Sequence, residues 1–84
     1  MAEIFFRPRA IKGFESASKK DQKRIRIAIN ILQKGAFPTN TKKLEGHTAG
    51  YRIRVGRWRI LFILGKAEID VVDIFIKKGE SDYN

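Results

Sequence analysis

The segment Tyr51-Arg52-Ile53-Arg54-Val55-Gly56-Arg57-Trp58-Arg59-Ile60-Leu61-Phe62 alternates apolar and basic side chains around a glycine. Period-two alternation broken by a turn residue fits a β-hairpin with one buried face. With Gly56-Arg57 as a two-residue turn, glycine at its first central position, Val55 pairs with Trp58, Ile53 with Ile60, and Tyr51 with Phe62. All six are apolar and share one face. The opposite face then sets Arg54 directly across from Arg59, with Arg52 beside them and Leu61 opposite Arg52. Like charges at a cross-strand Cβ separation of ~5 Å destabilise a hairpin by some tenths of a kcal/mol up to about 1 kcal/mol. Three guanidiniums on one small patch are what a phosphate needs, because each planar fork matches a pair of anionic oxygens. A solvated face with long stems covering apolar atoms accounts for any one of them. The three together, with Lys42 and Lys43 just upstream and only Glu45 to offset them, point to an anion.

The rest of the chain supplies what such a hairpin must pack against. Glu3-Ile4-Phe5-Phe6 reads as a short strand, closed by Pro8. A first helix is expected over 8–17, with Pro8 at an early position and Gly13 weakening it. Ser18 followed by Asp21 resembles a capping box and opens a second helix. Ile25, Ala28, Ile29 and Leu32 recur at helical spacing, and Lys19, Lys23, Arg26 and Lys34 fall largely on other faces. Gly35 and the Phe37-Pro38 pair stop that helix. After a polar stretch at 39–50, three antiparallel strands are expected at 51–55, 58–64 and about 68–76. The order gives an α+β fold: an N-terminal strand, a helical hairpin, then an antiparallel β-meander with the helices on one sheet face. At 84 residues, without linker or repeat, it is expected to be one domain spanning 1–84.

Charge and composition narrow the function. There are 18 Lys and Arg against 9 Asp and Glu, and the net charge of +9 opposes folding through self-repulsion, so an anionic partner is the expected compensation. With no cysteine there is no disulfide, thiolate metal cage or thiol nucleophile. Met1-Ala2-Glu3-Ile4-Phe5-Phe6 has too short an apolar run for a signal peptide, and nothing approaches a membrane span, so a cytoplasmic protein is expected. His47 is the only imidazole, which excludes a two-histidine acid–base nuclease, and it reads as an exposed loop residue. Glu68 and Asp70 share a strand face while Asp73 has the opposite parity, so solvated acids are expected there rather than a metal site, and no cofactor is implied. Trp58 and Phe62 read as core.

Lys42-Lys43-Leu44-Glu45-Gly46, Tyr51-Arg52-Ile53-Arg54-Val55-Gly56 and Trp58-Arg59-Ile60-Leu61-Phe62, followed by a basic segment ending in Tyr83, resemble the RelE/ParE toxins of bacterial and archaeal toxin–antitoxin systems. The resemblance spans essentially the whole chain. It implies the RelE-like microbial ribonuclease fold and a type II toxin that cleaves mRNA, commonly in the ribosomal A site, with an antitoxin as partner alongside mRNA and ribosome. The ParE-like branch implies instead a non-enzymatic inhibitor of DNA gyrase, and a plain RNA- or ribosome-binding module is the third reading. By resemblance, Arg52 and Arg54 stand where RelE-type enzymes touch the scissile phosphate and the attacking 2′-hydroxyl. Arg59 matches the arginine that stabilises transition-state charge, and Tyr83 a tyrosine that stacks on a base. Lys77 or Lys78 falls where relatives carry a residue acting on the leaving group. The family's Gly-His-Arg pattern is absent, Lys77-Lys78-Gly79 standing in its place.

RNA carries its own nucleophile, so cleavage needs a base for the 2′-hydroxyl, positive charge around the phosphorane and a proton for the leaving 5′-oxygen, without a metal. Arg54 and Arg59 are expected to supply the charge. Arginine stays protonated to about pH 12 and cannot serve as the base. Lys78, or Lys77, would serve if neighbouring arginines and burial lowered its pKa. Tyr83 would stack or donate a proton. Lys42, Lys43 and Lys77 are expected to hold substrate.

Overall fold

Each expected element forms, with ends set by local chemistry. The computed structural model describes residues 2–77. They form β1 (Glu3–Phe6), α1 (Pro8–Ser16), α2 (Lys19–Gln33), β2 (Thr41–Lys43), β3 (Gly50–Val55), β4 (Trp58–Leu64) and β5 (Glu68–Ile76). Pro8 opens α1, where the first turn has no intrahelical use for its missing N–H. Ala17 is already extended and donates its N–H to Phe14 O, so the helix ends at Ser16, one residue short of expectation. Ser18 Oγ then accepts the Asp21 N–H at 3.2 Å and caps α2. At the far end Gly35, with φ of 94°, donates to Leu32 O at 2.9 Å, and Ala36 donates to Ile31 O at 3.2 Å. These are the two bonds of a Schellman stop.

The sheet runs in the order β1-β5-β4-β3-β2. β3, β4 and β5 are the expected antiparallel meander, and β1 joins β5 in parallel, which makes the sheet mixed. A further strand, β2, lies within the stretch expected only as a polar connection. It pairs antiparallel with β3, Lys42 opposite Arg52 and Lys43 opposite Tyr51. A short, lysine-rich edge strand rests on backbone pairing and buries little, so hydrophobic patterning carries no trace of it.

Both helices cover one sheet face, as expected. Ala10 of α1 and Ile25, Ala28, Ile29 and Leu32 of α2 pack with Ile53, Trp58, Ile60, Phe62, Ile69, Val71 and Ile74. Phe62, 1% exposed, contributes about 1.5–3 kcal/mol by leaving water. Tyr51 stacks on it across the hairpin, ring centroids 5.3 Å apart, and Phe37 lies 5.1 Å from Tyr51. α1 lies chiefly against β5, and Gly13 permits the approach: a Cβ there would stand 1.8 Å from Ile74 O. The residue that weakens the helix in sequence is thus the one its docking requires.

β5 carries one irregularity that sets which of its side chains face away from the helices. Its register with β4 passes from Leu61 opposite Asp73 to Phe62 opposite Val71, which leaves Val72 without a ladder partner. This β-bulge inverts the alternation. Ile69 and Val71 face the helices, and beyond the bulge so does Ile74, so Asp70, Asp73 and Phe75 share the opposite face. Asp73 therefore does not have the parity expected from plain alternation. No helix among the described residues is long and apolar enough to cross a membrane.

Candidate nucleic-acid interface

The β3–β4 hairpin has the register that its alternation predicts. Gly56 takes the positive φ, 60°, that the first central position of such a turn demands. Val55 pairs with Trp58, Ile53 with Ile60, Tyr51 with Phe62, Arg52 with Leu61 and Arg54 with Arg59. Leu61 is buried yet stands outside the helix-side core, on the arginine face. Arg54 is exposed, and Arg52 and Arg59 are half-buried. The Arg59 Nη1 donates to Gly56 O at 3.0 Å and to Trp58 O at 2.9 Å, which ties its guanidinium down over the turn. Burial, and after it the charges of Arg52 and Arg54, hold this group below the usual arginine range. Neither Arg54 nor Arg59 joins an ion pair among the described residues. The face is a partly dehydrated cluster of like charges, whose mutual repulsion an incoming phosphate would relieve.

The other predicted residues divide. Lys42, opposite Arg52, extends the arginine face onto β2. Beside it a cleft of about 190 Å³ is lined by Thr39, Asn40, Thr41, Lys42, Arg52 and Arg54. Lys43, opposite Tyr51, has the other parity and does not join that face. Lys77 follows β5 and donates its N–H to Arg57 O at 3.0 Å, next to the turn. Lys78 and Tyr83 lie outside the described residues. Asp70 and Asp73 each face a cation from the start of α1: Arg7 Nη2 lies 2.7 Å from Asp70 Oδ2, and Arg9 Nε 3.5 Å from Asp73 Oδ2. Among the described residues no three acidic, histidine or cysteine side chains gather as a metal site would require. His47 is exposed in its loop.

The hairpin is anchored from behind. Trp58 Nε1 donates to Asp21 Oδ2 at 3.0 Å, joining the start of β4 to the first turn of α2. The Arg24 guanidinium lies over Gly56, where a Cβ would approach its Nη1 to 3.0 Å. Arg59, next in chain to Trp58, inherits a fixed backbone. Two residues of this face escape sequence reasoning. Asn40 accepts the Arg54 N–H at 3.1 Å and so continues the β2–β3 pairing, visible only once β2 is known. Phe75 lies opposite Arg59, and simple alternation would have sent it into the core.

No family model and no curated protein sequence matches the chain. Solved structures do. A chain of the RelB-RelE antitoxin-toxin complex from Methanococcus jannaschii is 23% identical with a TM-score of 0.74, over 86% of this chain and 88% of that one. The isolated Escherichia coli RelE toxin is 14% identical with a TM-score of 0.82, over 96% and 89%. The YoeB dimer from Staphylococcus aureus is 18% identical with a TM-score of 0.77, over 92% and 98%. The chain has the fold of these RelE and YoeB structures.

Proposed function

We propose that the chain is the toxin of a type II toxin–antitoxin system and an endoribonuclease that cuts mRNA, at the ribosomal A site. The observation that carries this reading is the directly opposed pair Arg54 and Arg59, flanked by Arg52 and Lys42 and without ion-pair partners among the described residues. The likeness in fold to RelE and YoeB supports it. In the proposed reaction the substrate's 2′-oxygen attacks the adjacent phosphorus and the bond to the 5′-oxygen breaks. A 2′,3′-cyclic phosphate and a 5′-hydroxyl result. Arg54 and Arg59 hold the extra negative charge of the phosphorane. Arg59 suits this role because two backbone carbonyls already orient it, so little reorganisation accompanies the reaction. Arg52 grips the same phosphate, and Lys42 and Lys77 the flanking ones. Lys78, or Lys77, takes or returns protons, and Tyr83 stacks on a base or donates a proton.

The partner proposed is a cognate antitoxin with acidic segments that meet the basic face, as the Methanococcus jannaschii neighbour is crystallised with RelB. An apolar groove of about 420 Å³ between β1, α1 and α2, with Ile4, Phe6, Ile11, Phe14 and Ile29 in its walls, offers such a chain a second seat.

Primer extension on an mRNA in a translating extract tests the nuclease reading. Wild type should produce defined stops, and Arg54→Ala or Arg59→Ala should weaken them by about 10²–10³-fold, the usual loss for one preorganised donor. Intact mRNA with ribosomes present would reject the nuclease. Inhibition of supercoiling that survives both substitutions would select the gyrase-inhibitor reading in its place.

A further inference from the structure

Strand register places an aromatic ring in line with the arginines. Arg54 lies opposite Arg59 across β3 and β4, and Arg59 lies opposite Phe75 across β4 and β5. Neighbouring strands are about 4.8 Å apart, so the backbone of Phe75 stands about 5 Å from that of Arg59 and about 10 Å from that of Arg54. This ring is aimed there by the bulge at Val72. In uninterrupted alternation Phe75 would share the helix-side face of Ile69 and Val71, and a large apolar ring would join the core. Ile74 takes that place, 1% exposed, and Phe75 remains half-buried on the arginine face. Bulges beside functional sites commonly re-aim a side chain in this way.

We propose that Phe75 is a substrate-binding residue that stacks on the base of the nucleotide adjoining the phosphate held by Arg54 and Arg59. The inference rests on the RNA-cleaving reading above and adds a base platform to its phosphate clamp. Single-stranded RNA offers unstacked bases, and proteins hold them on aromatic faces next to cationic side chains that carry the backbone. Such stacking is tolerant of base identity, because every base has a π-face.

The test compares full-length wild type, Phe75→Leu and Phe75→Trp by fluorescence anisotropy, with thermal unfolding as the folding control. The probes are a labelled single-stranded RNA with 2′-fluoro riboses, which cannot attack, and the same backbone without bases. Leucine keeps apolar contact with the sheet and removes the π-face, whereas tryptophan enlarges it. Phe75→Leu should weaken binding of the base-bearing strand by about 5–100-fold and leave the abasic strand unchanged, while Phe75→Trp keeps the wild-type preference for bases. Equal loss on both strands, no loss on the base-bearing strand, or loss of base preference in Phe75→Trp would each overturn the stacking role. If wild type cuts RNA while Phe75→Leu binds normally, the stacking role alone fails. If wild type holds neither strand, the stacking role fails, and the RNA reading fails with it only where wild type also leaves mRNA intact in the translating extract.

Discussion

Arg59 concentrates the physical chemistry of the arginine face. Its guanidinium is partly desolvated, fastened to Gly56 O and Trp58 O, and pressed below the usual arginine range by burial and by Arg52 and Arg54. Arginine tolerates this, since its ordinary pKa lies so far above neutrality that it stays a cation. Lysine starts from about 10.4 and has less room. For Arg59→Lys the same causes lower the pKa of a cation, so its charge is present at low pH and lost earlier as pH rises. Binding of the 2′-fluoro RNA by Arg59→Lys should therefore begin to weaken at a pH below the ordinary lysine value of about 10.4 and earlier than binding by wild type. Parallel profiles would mean that Arg59 does not meet the phosphate. Lys42 and Lys43 give a second comparison one residue apart. Lys42 shares the face of Arg52 and Lys43 does not, so Lys42→Ala should lower the salt slope of RNA binding by about 0.7 and Lys43→Ala should leave it close to wild type. The sequence alone treats these two lysines alike, because parity has no meaning until β2 is known to be a strand.

At the scale of elements, local chemistry with immediate sequence causes was legible and tertiary choices were not. The Ser18 cap, the Gly35 stop, the four buried positions of α2 and the pairs of the β3–β4 hairpin from Val55–Trp58 to Tyr51–Phe62 follow from spacing and turn residues within a few positions of one another. β2 and the β5 bulge depend on a partner strand, and neither leaves a periodic mark in its own residues. The parity of Asp73 and Phe75 was hidden for that reason. Gly13 shows how a local rule and its tertiary reason diverge. Alanine there would gain about 1 kcal/mol of helix propensity, yet its Cβ would stand 1.8 Å from Ile74 O and drive α1 from β5. The steric effect wins: Gly13→Ala should lower stability by roughly 1–3 kcal/mol in a denaturant titration. A variant more stable than wild type would show that α1 does not dock so closely.

Over the whole molecule the proposed function divides the charge of +9 into a share that docks and a share that acts. Basic side chains spread along α2, including Lys19, Lys20, Lys23 and Arg26, attract any polyanion and raise encounter rates in a salt-dependent way. The cluster of Arg52, Arg54 and Arg59 is different in kind, since the sheet holds these groups together against their repulsion and two of them lie partly out of water. Substitutions on α2 should lower affinity at low salt and spare the rate at saturating substrate. Substitutions in the arginine cluster should lower that rate itself. The account's central claim is that this cluster promotes attack by the substrate's own 2′-oxygen, and the ends of the cut RNA test it most directly. With ribosomes and mRNA, wild-type protein should leave 5′-hydroxyl and 2′,3′-cyclic phosphate ends at sites lost when the scissile ribose is 2′-deoxy, and Arg54→Ala/Arg59→Ala should leave the message whole. Cutting that persists at a 2′-deoxy site, or that the double variant performs as well as wild type, would contradict it.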